Sequence, residues 1–174
     1  MIFLGAAILL AIERVAYVWV WRNPESFRAL CARVSASPQW EPVLVLERLF
    51  YIFKGIQAGV FLGWCYWFSG SILPDPPSLL QVAAGTTLIV AGQILNFGVF
   101  YRLGSVGVFY GNRFGYDLEW KSEFPFSILA HPQYVGALIS IWGFFFAMRF
   151  PNGDWFLIPL LETVYYVIGT YLER

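Results

Sequence analysis

Apolar residues along this chain gather into five long runs, Met1 to Trp21, Leu49 to Ile72, Leu79 to Tyr101, Pro132 to Phe150 and Trp155 to Tyr171, with polar residues concentrated between them. Each run approaches the roughly 20 residues that carry a helix across about 30 Å of hydrocarbon. A helix satisfies its own backbone N–H and C=O groups, so the pattern predicts an all-α, polytopic integral membrane bundle of about five apolar helices, one domain over residues 1–174. Asn152-Gly153 is a turn signal and predicts a tight hairpin between the last two helices. The sequence LPDPP gives the second and third a short, stiff connection. Two larger polar regions are left, Arg22 to Arg48 and Arg102 to Ala130.

The basic residues divide unevenly between the connections. Arg22, Arg28, Arg33, Arg48, Arg102, Arg113 and Lys121 fall in the two polar regions, whereas the alternate loops hold only Arg149. The positive-inside rule then places both regions in the cytoplasm, the amino terminus outside and the carboxyl terminus inside. The opening MIFLGAAILLAI lacks a basic leader and runs on through Glu13 and Arg14, so it reads as a first helix and not a cleaved signal.

Composition sharpens this picture. The chain is 59% hydrophobic and only 13% charged, more apolar than a soluble core of this size requires. Its formal charge is zero, so no basic field points to nucleic acid. Cys31 lies in a polar loop and Cys65 in an apolar span, an arrangement that disfavours a disulfide.

Ionisable residues within the spans are costly and usually face the bundle interior. Glu13 and Arg14 in the first run, and Lys54 in the second, suit an interhelical ion pair; Glu47, Tyr51, Lys54 and Gln57 fall near one helical face. Glu162, Tyr166, Gly169 and Glu173 form a polar seam along the last helix, with Glu162 and Glu173 candidates for function or for buried structural carboxylates. Gly85, Gly92 and Asn96 share a face of the third run, where small residues let helices approach.

The stretch from Gly107 to Gly136, GVFYGNRFGYDLEWKSEFPFSILAHPQYVG, is the richest in candidate chemistry. In a helix, Gly104, Gly107, Gly111 and Gly115 would line a smooth groove flanked by Phe109, Tyr110 and Phe114, suited to acyl chains or to a packed helix. Beside it, Asn112 and Arg113 could hold a lipid phosphate, although a generic interfacial anchor suits Arg113 equally. His131 is the only histidine, which excludes a multi-histidine metal site and weakens any Ser-His-Asp arrangement. Pro132 suits the first turn of the fourth helix, with His131 at its cap and Tyr134 and Gly136 on the opening turn. That helix start is a cap or a site for an anionic ligand.

The run YRLGSVGVFYGNRFG, EFPFSIL and HPQYVG, in that order, resembles the phospholipid N-methyltransferases, which are similar in turn to the isoprenylcysteine carboxyl methyltransferases with their His-Pro-x-Tyr-x-Gly motif. The resemblance implies S-adenosylmethionine bound at the cytoplasmic ends of the last helices and a phospholipid amine entering from the surrounding membrane lipids. The family's glycine-containing cofactor motif falls on Val90, Ala91 and Gly92, of which only Gly92 matches, and its acidic pair falls on Leu172 and Glu173, of which only Glu173 matches. Gly92, His131, Pro132, Tyr134, Gly136 and Glu173 are thereby cofactor-binding candidates. Tyr110, Gly111, Asn112 and Arg113 are candidates for the lipid. Methyl transfer to an amine needs the reactants positioned and one proton removed, for which His131 and Glu162 are the catalytic candidates. The expected activity is N-methylation of mono- and dimethyl-phosphatidylethanolamine towards phosphatidylcholine, in the endoplasmic reticulum of a eukaryote or the inner membrane of a bacterium. A carboxyl methyltransferase of a prenylated cysteine and a noncatalytic membrane scaffold are the alternatives.

Overall fold

The computed structural model describes residues 1–34, 40–70, 77–119 and 121–173. Six α-helices follow in order: α1 (Ile2–Arg22), α2 (Pro24–Val34), α3 (Pro42–Ser69), α4 (Leu79–Val108), α5 (Pro132–Arg149) and α6 (Leu157–Leu172), with a 3₁₀ turn at Gly111–Phe114. No strand occurs among the described residues. Every apolar run falls largely within a helix, and α1 and the stretch Leu79–Phe114 are long and apolar enough to cross a membrane. Much of the exterior is apolar: Leu4, Ile8, Ile94, Phe97, Val164 and Ile168 are all exposed. The LPDPP connection lies outside the described residues except for its last proline.

Ser78 starts α4 with a capping box, its hydroxyl accepting from the Gln81 N–H at 3.2 Å while its own N–H donates to the Gln81 side chain at 2.7 Å. The Gln81 amide also donates to the Phe150 carbonyl at 2.8 Å, fastening the start of α4 to the end of α5. Between these ends the two helices touch through glycines. A Cβ on Gly92 would lie 2.3 Å from the Gly136 carbonyl oxygen, and one on Gly143 would lie 2.7 Å from that of Gly85. The seven-residue spacing on each helix keeps both pairs on a single seam, so the small-residue face of the third run is a helix-packing face.

At the opposite turn, the Asn152 backbone N–H and side-chain amide each donate to the Arg149 carbonyl at 2.8 Å, closing the expected hairpin. Arg149 itself is buried, and its guanidinium meets Asp154 at 2.5 Å while the Trp64 indole donates to the same carboxylate at 2.9 Å. The one basic residue of the alternate loops is therefore neutralised inside the bundle.

Two sequence expectations need correction. Cys31 does not lie in a loop: Pro24–Val34 is a helix that buries Phe27 and Cys31 four residues apart, and its polar remainder masks this short apolar stripe. Nor do Gly104, Gly107, Gly111 and Gly115 line a continuous helical groove. Gly104 kinks α4 at φ 61°, ψ 179°, the helix ends at Val108, and Tyr110 and Gly115 bracket the 3₁₀ turn at φ 59° and φ 90°. Gly104 and Gly115 take positive φ, which glycine admits freely, and Tyr110 joins them just past the helix end.

The two polar regions meet at one end of the bundle. There Arg22 Nε donates to the Leu172 carbonyl at 3.0 Å, the Ser105 hydroxyl donates to Glu47 at 3.2 Å, and Arg102 pairs with Glu123. One buried cluster, including Tyr17, Phe27, Leu46 and Phe109, packs towards this end, and another, including Leu10, Phe61, Trp64 and Phe145, forms the rest of the core.

Candidate active site

A cavity of about 820 Å³ opens within the bundle, bordered by members of both clusters. Helices α1, α3, α4, α5 and α6 all contribute to its wall, through Arg14, Gln57, Gln93, Tyr134 and Tyr166 among others. Most of the lining is apolar or aromatic, as in pockets that take amphipathic ligands.

Its polar side is the buried charge set anticipated within the spans. Lys54 Nζ and the Arg14 guanidinium each lie 3.1 Å from Glu13 Oε1. The Lys54 ammonium also donates to the Gln57 side chain at 3.0 Å, and the Gln57 amide donates to Glu162 at 2.7 Å. Thus α1, α3 and α6 are joined by a chain of side chains, and the interhelical ion pair expected of Glu13 and Lys54 is present. Glu162 is 1% exposed, and its second carboxylate oxygen has no partner. The Arg14 guanidinium stacks 3.8 Å from the Tyr166 ring centroid, and its Nε is likewise unpartnered.

At the end where the polar regions meet, the Tyr134 hydroxyl donates to the Glu173 carboxylate, and Tyr110 closes on the same group. Burial pushes the Glu173 carboxyl up from its ordinary range, against the opposing pull of these hydroxyls and of Arg14. The charged residues that line the cavity are Glu13, Arg14 and Lys54, while Glu162 and Glu173 lie just behind its wall, the first through Gln57 and the second through Tyr134. The rings of Tyr17, Phe50, Tyr134 and Tyr166 around the cavity suit a cationic group of a ligand.

The sequence candidates separate into groups. Tyr110, Tyr134 and Glu173 come together, with the His131 and Tyr134 rings stacked at 6.1 Å. His131 occupies the N-cap of α5 but makes no capping hydrogen bond through its side chain; it is exposed, while Pro132 at the first helical position is buried. Gly92 and Gly136 meet each other in the α4/α5 seam. Glu162 sits deeper, one hydrogen bond behind the cavity-lining Gln57. Gly111 is buried in the 3₁₀ turn and Asn112 is exposed; the Arg113 guanidinium stacks 3.7 Å from the Trp21 ring centroid. Reading the sequence did not single out Gln93, Tyr17 or Trp21 for the site. Their polar or aromatic character is ordinary for their runs, and only the packing of distant helices turns them inward.

The donor set fits S-adenosylmethionine. The cavity combines aromatic faces for a sulfonium with an unpartnered buried acceptor at the lining Asn96 Oδ1, and the Glu173 carboxylate stands behind the lining Tyr134.

A family model described as phospholipid methyltransferase matches residues 80–174. A phosphatidyl-N-methylethanolamine N-methyltransferase of Arabidopsis thaliana is 35% identical over 136 residues, covering 78% of this chain and 74% of that protein. A phosphatidylethanolamine N-methyltransferase of Rattus norvegicus is 32% identical over 91 residues, covering 52% of this chain and 45% of its own length. The protein of the same name from Homo sapiens is 31% identical over 101 residues, covering 58% and 49%. No solved structure matches.

Proposed function

The chain belongs to the phospholipid methyltransferase family, and we propose that it transfers methyl groups from S-adenosylmethionine to the amine of mono- and dimethyl-phosphatidylethanolamine within the bundle cavity. The observation that carries this reading is the cavity itself, an aromatic chamber among five helices whose polar wall of Glu13, Arg14, Lys54 and Gln57 is backed by Glu162. The convergence of the basic polar regions at the Glu173 end supports five spans with that end in the cytoplasm. The apolar exterior supports entry of the lipid from the bilayer.

S-adenosylmethionine supplies an electrophilic methyl group on a cationic sulfur. Glu173, held by Tyr134, would hold it at the cytoplasmic end, with His131 and Pro132 at the α5 start beside it. The aromatic walls exclude water and favour the positive charge that each reactant carries at some stage. In the transfer, a bond forms from the amine nitrogen to the methyl carbon as the carbon–sulfur bond breaks, and the amine proton must leave. Glu162 is the better acceptor of the two candidates because it is inside the bundle with an unpartnered oxygen, whereas His131 is exposed. Gln57 fixes the Glu162 carboxylate from the cavity wall.

The reading is tested by incubating purified protein with methyl-labelled donor and vesicles containing phosphatidylethanolamine, its monomethyl and dimethyl forms, or a prenylated cysteine peptide. Label in a more methylated phospholipid is expected. Label only on the peptide carboxylate, or on no acceptor, would contradict it.

A further inference from the structure

Trp21 lies in the last turn of α1 and Arg113 in the 3₁₀ turn, 92 positions away in sequence, yet the guanidinium carbon sits 3.7 Å from the indole centroid. The Arg113 Nε–H and the Trp21 Nε1–H are both buried, and neither has an acceptor. Buried N–H donors are ordinarily satisfied, so two bare ones on stacked side chains mark a place for acceptor atoms. Arg113 has no ion-pair partner among the described residues. The Tyr110 ring, which lines the cavity, lies 5.2 Å from that of Trp21 and also closes on Glu173, so these donors lie behind the cavity wall at its Glu173 end.

We propose that Trp21 and Arg113 form an oxyanion subsite that takes a carboxylate or phosphate group of a reactant, with Trp21 as its second donor. The inference rests on the methyl-transfer reading. Glu173, on the far side of Tyr110, supplies the opposite charge, so the end of the cavity suits a group carrying both signs. Two reactants present such chemistry: the methyl donor has an amino-acid carboxylate beside an ammonium, and the lipid has a phosphate beside its amine. The planar guanidinium and the indole N–H together match the oxygens of either anion better than a point charge would.

Trp21→Phe keeps the stacked ring and removes one donor, and Arg113→Lys keeps the charge and removes Nε–H. The full chain in lipid nanodiscs would be compared with both variants for affinity towards S-adenosylhomocysteine, affinity towards its decarboxylated analogue, KM for monomethyl-phosphatidylethanolamine, and thermal midpoint. Each variant should weaken the anion contact about three- to tenfold while the midpoint holds. Loss confined to S-adenosylhomocysteine, with the decarboxylated analogue unaffected, assigns the carboxylate. A raised lipid KM with unchanged S-adenosylhomocysteine affinity assigns the phosphate. Unchanged values in both variants, or parallel losses for the carboxylated and decarboxylated ligands together with a fallen midpoint, would overturn the subsite. Wild-type protein that neither binds S-adenosylhomocysteine nor methylates lipid would overturn the methyl-transfer reading itself, and the subsite with it.

Discussion

Glu173 and His131 stand within reach of the same tyrosine but have different expected sensitivities to substitution. Glu173 accepts from Tyr134 and is the carboxylate at this end of the bundle proposed to hold the donor, so Glu173→Gln should weaken binding of S-adenosylmethionine roughly tenfold or more, the scale of a lost charge-assisted hydrogen bond. Isothermal calorimetry measures this directly. Because burial holds the Glu173 carboxyl above its ordinary range, a larger share of it is protonated as pH falls, and a cationic ligand favours the ionised form. Affinity should therefore rise with pH through that titration, with proton release on binding, and Glu173→Gln should flatten the slope. His131 makes no side-chain capping bond and is exposed, so His131→Asn should leave both affinity and the pH–rate profile nearly normal. A turnover defect that recovers at alkaline pH would instead make His131 the proton acceptor. These residues were legible in the sequence because helix-start and helix-seam patterns are local, and Pro132, Tyr134 and Glu173 fall where those patterns put them. Trp21 was not, since its partner is brought to it only by the turn after α4.

At the scale of elements, the close approach of α4 and α5 is set by glycines that leave no room for a side chain. Gly92→Ala places a Cβ 2.3 Å from the Gly136 carbonyl oxygen and the Ser140 hydroxyl, so the helices must part. Overpacking of this kind costs about 1–3 kcal/mol, and a lower thermal midpoint with weakened S-adenosylhomocysteine binding is expected. Gly111→Leu should behave similarly. Its Cβ would lie 2.4 Å from Val106 Cγ1 and 2.6 Å from the Val106 carbonyl oxygen, so it disturbs the turn that presents Tyr110 and Arg113. A raised lipid KM with a normal midpoint would restore the groove. Hydrophobic periodicity located the apolar helices well, because each run is long and bounded by polar or turn residues. It missed α2, an eleven-residue helix with two buried residues, and it carried the α4 helix through Gly104, where glycine spacing alone cannot distinguish a packing face from a break.

Across the whole molecule, the chain of Glu13, Lys54, Gln57 and Glu162 joins α1, α3 and α6 around the cavity. Removing one member of a buried ion pair is costly, about 3–5 kcal/mol, because it strands the other charge. Glu13 is the shared partner of Lys54 and Arg14, so Glu13→Gln should strand both cations and destabilise the bundle strongly, whereas Lys54→Met leaves Glu13 paired with Arg14 and should cost less; thermal midpoints of the two single variants check this. The sequence supplied the members of this network but not its continuity, which depends on three helices meeting at matched depth. The central claim is that the reactants meet inside the resulting cavity. Ala137 lines it beside Tyr134, and the native Cys31 and Cys65 are buried, so a cysteine at Ala137→Cys provides a local probe with little background. The decisive measurement is its alkylation rate with and without S-adenosylhomocysteine. At about 100 times the Kd, occupancy leaves about 1% of sites open, so the rate should fall by about two orders of magnitude. An unchanged rate, in protein that demonstrably binds S-adenosylhomocysteine, would place the cofactor outside this cavity and contradict the account.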